Sequence, residues 1–153
     1  MAVDSKAKGA RAELKVRDEL RELTGHTWER VPASGALSVS HKLKGDLYIP
    51  EQKNKFCVEV KHYADDHISS KILTDKTPQI DLWWEQTVRE ANQIDKIPLL
   101  IFKFDRSKTF CAVPANYFDS TNYGARYLYI KHLDVYVMKL VDFINIYNPE
   151  FIG

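Results

Sequence analysis

Seven residues, Pro98-Leu-Leu-Ile-Phe-Lys-Phe104, constrain the fold of this chain more than any others. The run is too continuously apolar to be an edge strand, so it reads as a central strand of a mixed sheet, buried on both faces. Its neighbours fit that reading. Thr109–Val113 is expected to pair with it through the turn Asp105-Arg106-Ser107-Lys108. Upstream, Pro78–Ile94 reads as a helix, because proline lacks a donor that the first turn does not need. Ile80, Trp84, Val88 and Ala91 recur there at helical spacing, with Gln79, Trp83, Gln86 and Glu90 on a neighbouring face. The expected class is α/β: one domain over residues 1–153, a mixed central sheet flanked by helices.

The chemistry lies earlier in the chain. Asp46 opens the apolar run Leu47-Tyr48-Ile49-Pro50, and Glu51-Gln52-Lys53-Asn54 reads as a polar turn. Phe56–Lys61 then alternates as a strand, with Phe56, Val58 and Val60 on one face and Cys57, Glu59 and Lys61 on the other. Pairing Leu47 with Val58 and Ile49 with Phe56 places Asp46 beside Glu59. A slip of two residues would place it beside Lys61, whereas a slip of one would expose the apolar set. Either allowed register clusters Asp46, Glu59 and Lys61. Two adjacent carboxylates repel unless a cation lies between them, and hard oxygen ligands suit Mg²⁺ or Mn²⁺. With a lysine to orient water or neutralise charge, this is a donor set for metal-assisted phosphodiester hydrolysis. The competing interpretation is an amphipathic hairpin whose polar face is simply solvated.

Residues 4–24 read as a helix capped by Asp4 or Ser5 and stopped by Gly25. Glu13 shares a stripe with Val16, Leu20 and Leu23, where a carboxylate is costly without a partner. Either it pairs with Arg17 at the margin of the stripe, or it points at the hairpin as a third acidic group. Within residues 1–17, Lys6, Lys8, Arg11, Lys15 and Arg17 stand against Asp4 and Glu13, while the whole chain is only +1. Basic charge placed locally suits phosphate contacts, although a solvated helix face would also account for it.

The order of these elements resembles a known family. Lys8-Gly9, Glu13, the segment Arg30-Val31-Pro32-Ala33-Ser34-Gly35, Gly45-Asp46 and Glu59-Val60-Lys61 look like the archaeal-type Holliday junction resolvases, also found in phages, of the PD-(D/E)XK superfamily. The resemblance covers roughly residues 6–104. It implies a restriction-endonuclease-like nuclease core, with Glu13, Asp46, Glu59 and Lys61 catalytic and Ser34 near the scissile phosphate. It further implies Mg²⁺, with Mn²⁺ as a substitute, held by Asp46, Glu59 and the Val60 carbonyl with Glu13 nearby. DNA contacts are expected from Lys6, Lys8, Arg11, Arg30, Lys42 and Lys44. One departure is the segment Ala36–Lys44, longer and less glycine-rich than the family pattern and carrying His41, Lys42 and Lys44.

The remaining features add bounds. With 44% hydrophobic and 28% charged residues the chain is not wholesale disordered. No apolar run approaches the ~20 residues that span a membrane, and the N-terminus lacks the apolar core of a signal peptide, so an intracellular, cytoplasmic protein is expected. Cys57 and Cys111 read as reduced packing residues. His41, His62 and His67 have no zinc-site spacing, though His62 follows Lys61 and could touch a phosphate. Trp83 and Trp84 read as core or interface rather than base-stacking platforms, and Gln86 as a helper in positioning water or phosphate. His26–Val31 is expected to be a strand. Tyr127–Ile130 and Val135–Met138 alternate like strands and Leu140–Tyr147 turns helical. This aromatic stretch follows a catalytic core of about residues 6–113, so 114–153 is either a homodimer interface or further core. The expected activity is a dimeric, Mg²⁺-dependent endonuclease resolving four-way junctions. A related nuclease of other specificity, restriction-type or end-processing, and a non-catalytic DNA-binding module are the alternatives.

Overall fold

The computed structural model describes the backbone of residues 5–32, 43–66, 68–117 and 126–153, and their side chains from Gly9 onward. Helix α1 (Ser5–Thr24) leads to strand β1 (Glu29–Arg30), β2 (Leu47–Tyr48) and β3 (Phe56–Tyr63). A short helix α2 (Lys71–Thr74), the long helix α3 (Gln79–Gln93), then β4 (Ile97–Phe104) and β5 (Thr109–Pro114) follow. Strands β6 (Tyr127–Ile130) and β7 (Val135–Lys139) and helix α4 (Leu140–Tyr147) complete the chain. The seven strands form one mixed sheet in the order β1-β2-β3-β4-β5-β7-β6, with β3 and β4 parallel and the other neighbours antiparallel.

Strand β4 is central, as its continuous apolarity requires. Leu99 and Ile101 face α1 and α4, in a core with Ala12, Val16, Leu20, Val58, Val60, Phe143 and Ile144. Leu100, Phe102 and Phe104 face α3, with Ile80, Trp83 and Trp84. Leu20 and Ile80 are completely buried, and each such side chain removed from water favours folding by about 1.5–3 kcal/mol. Helix α1 stops where expected: Gly25 adopts φ +76° and its N–H donates to the Arg21 carbonyl at 2.9 Å.

Three sequence expectations need correction. The buried stripe of α3 is Ile80, Trp83, Trp84, Thr87 and Ala91, so Trp83 belongs to the core and Val88 is only half-buried. Trp83 packs among Tyr63, Phe102 and Phe104, and the Thr87 hydroxyl donates to its carbonyl at 2.7 Å, which lets a polar residue enter the core. Both tryptophans are thereby used inside the chain. The strand expected over His26–Val31 shrinks to Glu29–Arg30, because β2 offers only two residues to pair with. Trp28 instead packs edge-on against Phe151 at 5.1 Å, its indole N–H donating to the Thr24 hydroxyl. Glu13 does not pair with Arg17, which bonds Asp18; Arg30 takes it at 2.7 Å.

The C-terminal stretch completes the sheet and core. Strand β7 pairs with β5, and Leu140, Phe143, Ile144 and Phe151 are buried. The end of the chain returns to the start of β3, where the Lys55 N–H donates to the Phe151 carbonyl at 2.9 Å. The outer strand β6 leaves three consecutive side chains, Tyr127, Leu128 and Tyr129, exposed to water. Cys57 and Cys111 are free and buried. Burial is the main cause that pushes the Cys57 thiol up to about 12, so it packs as a neutral group.

Candidate active site

The cleft arises from a difference in strand length. Leu47 of β2 pairs with Val58, so β3 runs on beyond the N-terminal end of β2 without that neighbour. The space beside it, about 480 Å³, is lined by residues of α1, β3 and α3 and by Gly45 and Asp46. It opens where the sheet is locally one strand short, so helices on both faces reach it.

Asp46 is held at the corner by its own backbone. Its N–H donates to the Val58 carbonyl at 2.7 Å and its carbonyl accepts from the Val31 N–H at 2.9 Å. Gly45 makes that approach possible: it adopts φ +82°, and a Cβ there would lie 2.5 Å from the Val58 carbonyl oxygen. No other residue fits both conditions without displacing the strand. The carboxylate then turns to β3 and accepts the Val60 N–H at 2.7 Å. In a strand the N–H and C=O of one residue leave on the same side, so the Val60 carbonyl faces this corner too.

Glu59 and Lys61 stand on the α3 face of β3, opposite Val58 and Val60. Their neighbour Cys57 packs against Ala91 and Ile94. This face is covered by α3 rather than solvated, and Glu59 is only 3% exposed. A buried carboxylate in the middle of a strand is costly unless charge or hydrogen bonds meet it. The simple solvated hairpin is therefore excluded. Glu13 enters from α1, fixed by the Arg30 guanidinium through the β1 strand.

The electrostatics bind Glu13 and Asp46 into one unit. Burial raises the Glu13 carboxyl above its ordinary range, the Asp46 charge raises it further, and Arg30 opposes both. Burial also raises Asp46, opposed by the Val60 N–H, by a hydrogen bond from Glu13, and by Lys61 and Arg30. The two carboxyls lie within hydrogen-bond reach, so a proton held between them belongs to the pair. A cation arriving between them would displace it. Among the described residues, no three His, Cys, Asp or Glu side chains are already gathered around one point as metal ligands.

The structure thus brings Asp46, Glu59 and Lys61 to one cleft, as the hairpin spacing suggested, with Glu13, which the helical spacing had left open, and with Val60, Gln86 and His62. The His62 ring is tied to Asp105 at 2.9 Å. Arg11 is exposed on α1 and Lys44 is half-buried. Ser34, Lys42 and the side chains of Lys6 and Lys8 lie outside the described residues. Glu90 was missed as a site residue. It lines the cleft one turn after Gln86, and that i, i+4 pair beside the tryptophan stripe was the available signal. Burial raises its carboxyl, Asp46 raises it further, and Lys44 opposes.

Comparison with known proteins agrees with this geometry. Residues 4–152 match the family described as "Phage putative PDDEXK endonuclease". "Protein D14" of Escherichia phage T5 is 50% identical to this chain over 119 residues, 76% of this chain and 74% of that protein. PD-(D/E)XK nucleases generally use divalent metal ions. The chain belongs to this phage PDDEXK endonuclease family, and its activity is that of a nuclease.

Proposed function

We propose that this nuclease is a Mg²⁺-dependent, structure-selective endonuclease that resolves four-way DNA junctions by symmetric phosphodiester cleavage. The observation that carries the metal-dependent chemistry is the convergence of Glu13, Asp46, Glu59 and Lys61 in one cleft. The residues fit a hard cation: the donors are carboxylate oxygens, two of which stand close enough that each disfavours the other's charge until a cation lies between them. Asp46, Glu59 and the Val60 carbonyl would hold Mg²⁺, or Mn²⁺ in its place, with Glu13 nearby. When bound, the ion supplies a polarised phosphoryl oxygen and a water of lowered pKa.

The chain's own groups do the rest. The Val60 N–H keeps Asp46 aimed at the cleft, and Arg30 keeps Glu13 beside it. Lys61, on the same face as Glu59, orients the attacking water and neutralises charge that develops on the phosphoryl group. Cleavage leaves 5′-phosphate and 3′-hydroxyl ends. Phosphate contacts come from Lys6, Lys8, Arg11, Arg30, Lys42 and Lys44, with Ser34 near the scissile phosphate.

The junction as substrate is supported by the resemblance of Glu13, Arg30–Gly35, Gly45-Asp46 and Glu59–Lys61 to junction resolvases. Two symmetric cuts need two centres, so the active species is a homodimer, acting in the host cytoplasm. The exposed outer strand β6 supports that assembly. Because the family description specifies an endonuclease and no substrate, a PD-(D/E)XK enzyme of restriction or end-processing type is the second reading. A panel of four-way junction, flap and linear duplex at equal concentration separates them. Preferential paired nicking of the junction supports resolution, and equal cutting of linear duplex rejects it.

A further inference from the structure

Glu90 is the one carboxylate among the described residues lining the cleft that the reaction above leaves without a role. It reaches the cleft from α3, on the face of β3 that carries Glu59 and Lys61. Its Oε2 atom is fully buried and has no hydrogen-bond partner among the described residues. An orphaned buried acceptor is rare in a native protein and points to something that meets it in the working state. Burial makes the ionised form of Glu90 harder to keep, the Asp46 charge adds to this, and Lys44 opposes both.

We propose that Glu90 is a positioning residue of the cation site, its Oε2 accepting a hydrogen bond from a water in the shell of a divalent ion held by Asp46 and Glu59. The inference rests on the metal-dependent reading above. Mg²⁺ keeps several waters and takes only one or two protein carboxylates directly. A carboxylate set back from the inner ligands then meets the ion through water, which suits a cleft where, among the described residues, no three such side chains are already close enough to hold one ion. An acceptor at that distance fixes the direction of the bound water without crowding the inner shell, and such outer partners govern metal affinity. Gln86, one turn earlier on the same face, can donate where Glu90 accepts.

The test is calorimetric titration of the DNA-free protein with Mn²⁺, comparing the wild type, Glu90→Gln and the exposed control Glu85→Gln on the same helix. Wild type and Glu85→Gln are expected to bind equally. Glu90→Gln is expected to lose roughly 10-fold in affinity while its metal-free melting temperature holds or rises. Should the glutamine variant not fold, Glu90→Asp, which withdraws the carboxylate by one methylene, is expected to lose affinity instead. Unchanged affinity in the folded Glu90 variant overturns this inference and leaves the metal site standing. Absence of Mn²⁺ binding by the wild type overturns both.

Discussion

At the scale of single residues, Asp46 combines structural cost with chemical purpose. Its Asn variant keeps an acceptor for the Val60 N–H but removes the charge that opposes Glu13 and Glu90. Asp46→Asn is therefore expected to reduce cleavage at least about 100-fold and to raise the metal-free melting temperature by roughly 2–4 °C, as a gain near 1 kcal/mol would. The pH dependence follows from the same pair. Glu13 and Asp46 are both raised, so the metal-free native state holds protons more tightly than the unfolded chain. Their contribution to stability is full below the unfolded carboxyl pKa and is lost as pH rises through the raised folded values. Melts in EDTA across mildly acidic pH should show that decline. It should be shallower in Asp46→Asn and largely cancelled by Mg²⁺. Gly45→Ala sets a Cβ against the Val58 carbonyl at positive φ. A loss of about 1–3 kcal/mol is expected, read by denaturant titration, with cleavage falling as Asp46 is displaced.

At the scale of elements, what the sequence discloses depends on how local the cause is. The shared face of the hairpin was readable because a slip of one residue would expose Leu47 and Val58, and the α1 stripe because helical spacing places Glu13 among apolar residues. Strand β4 was readable from its uninterrupted apolarity. The face of α3 was not, because Trp83 and Thr87 enter the core through nonlocal packing against Tyr63, Phe102 and Phe104. Glu90 stayed hidden for the same reason: its place depends on how α3 crosses β3. Arg30 could be named as a DNA contact, but its clamp on Glu13 spans 17 residues and leaves no local trace. The C-terminal stretch was left between interface and core, and its packing now argues for core over most of its length. Phe151, buried against Trp28 and Phe56, ties the last residues to the segment just before β1 and to β3. Phe151→Ala should cost about 3–5 kcal/mol, measured by chemical denaturation, although Phe151 lies far in sequence from the acidic residues.

At the scale of the whole molecule, a mixed sheet clad by helices on both faces supplies a rigid frame, and one short strand leaves a gap in it. The site occupies that gap, so α1 and α3 can bring groups to the same edge from opposite layers. The overall charge of +1 leaves the protein without a strong general attraction for DNA; affinity then rests on the basic groups placed near the cleft and should weaken with salt in proportion to their number. The proposed dimer would use the exposed β6 strand. Leu128→Lys is expected to halve the mass seen by light scattering and to convert paired cuts into single nicks. The central claim is that the acidic cleft is a metal-dependent nuclease centre acting on branched DNA. It is tested most directly by incubating a synthetic four-way junction with wild type and Asp46→Asn, each with Mg²⁺ and with EDTA. Paired symmetric nicks only for wild type with Mg²⁺ are the predicted result. Equal cleavage by Asp46→Asn, or cleavage that persists in EDTA, would contradict the claim.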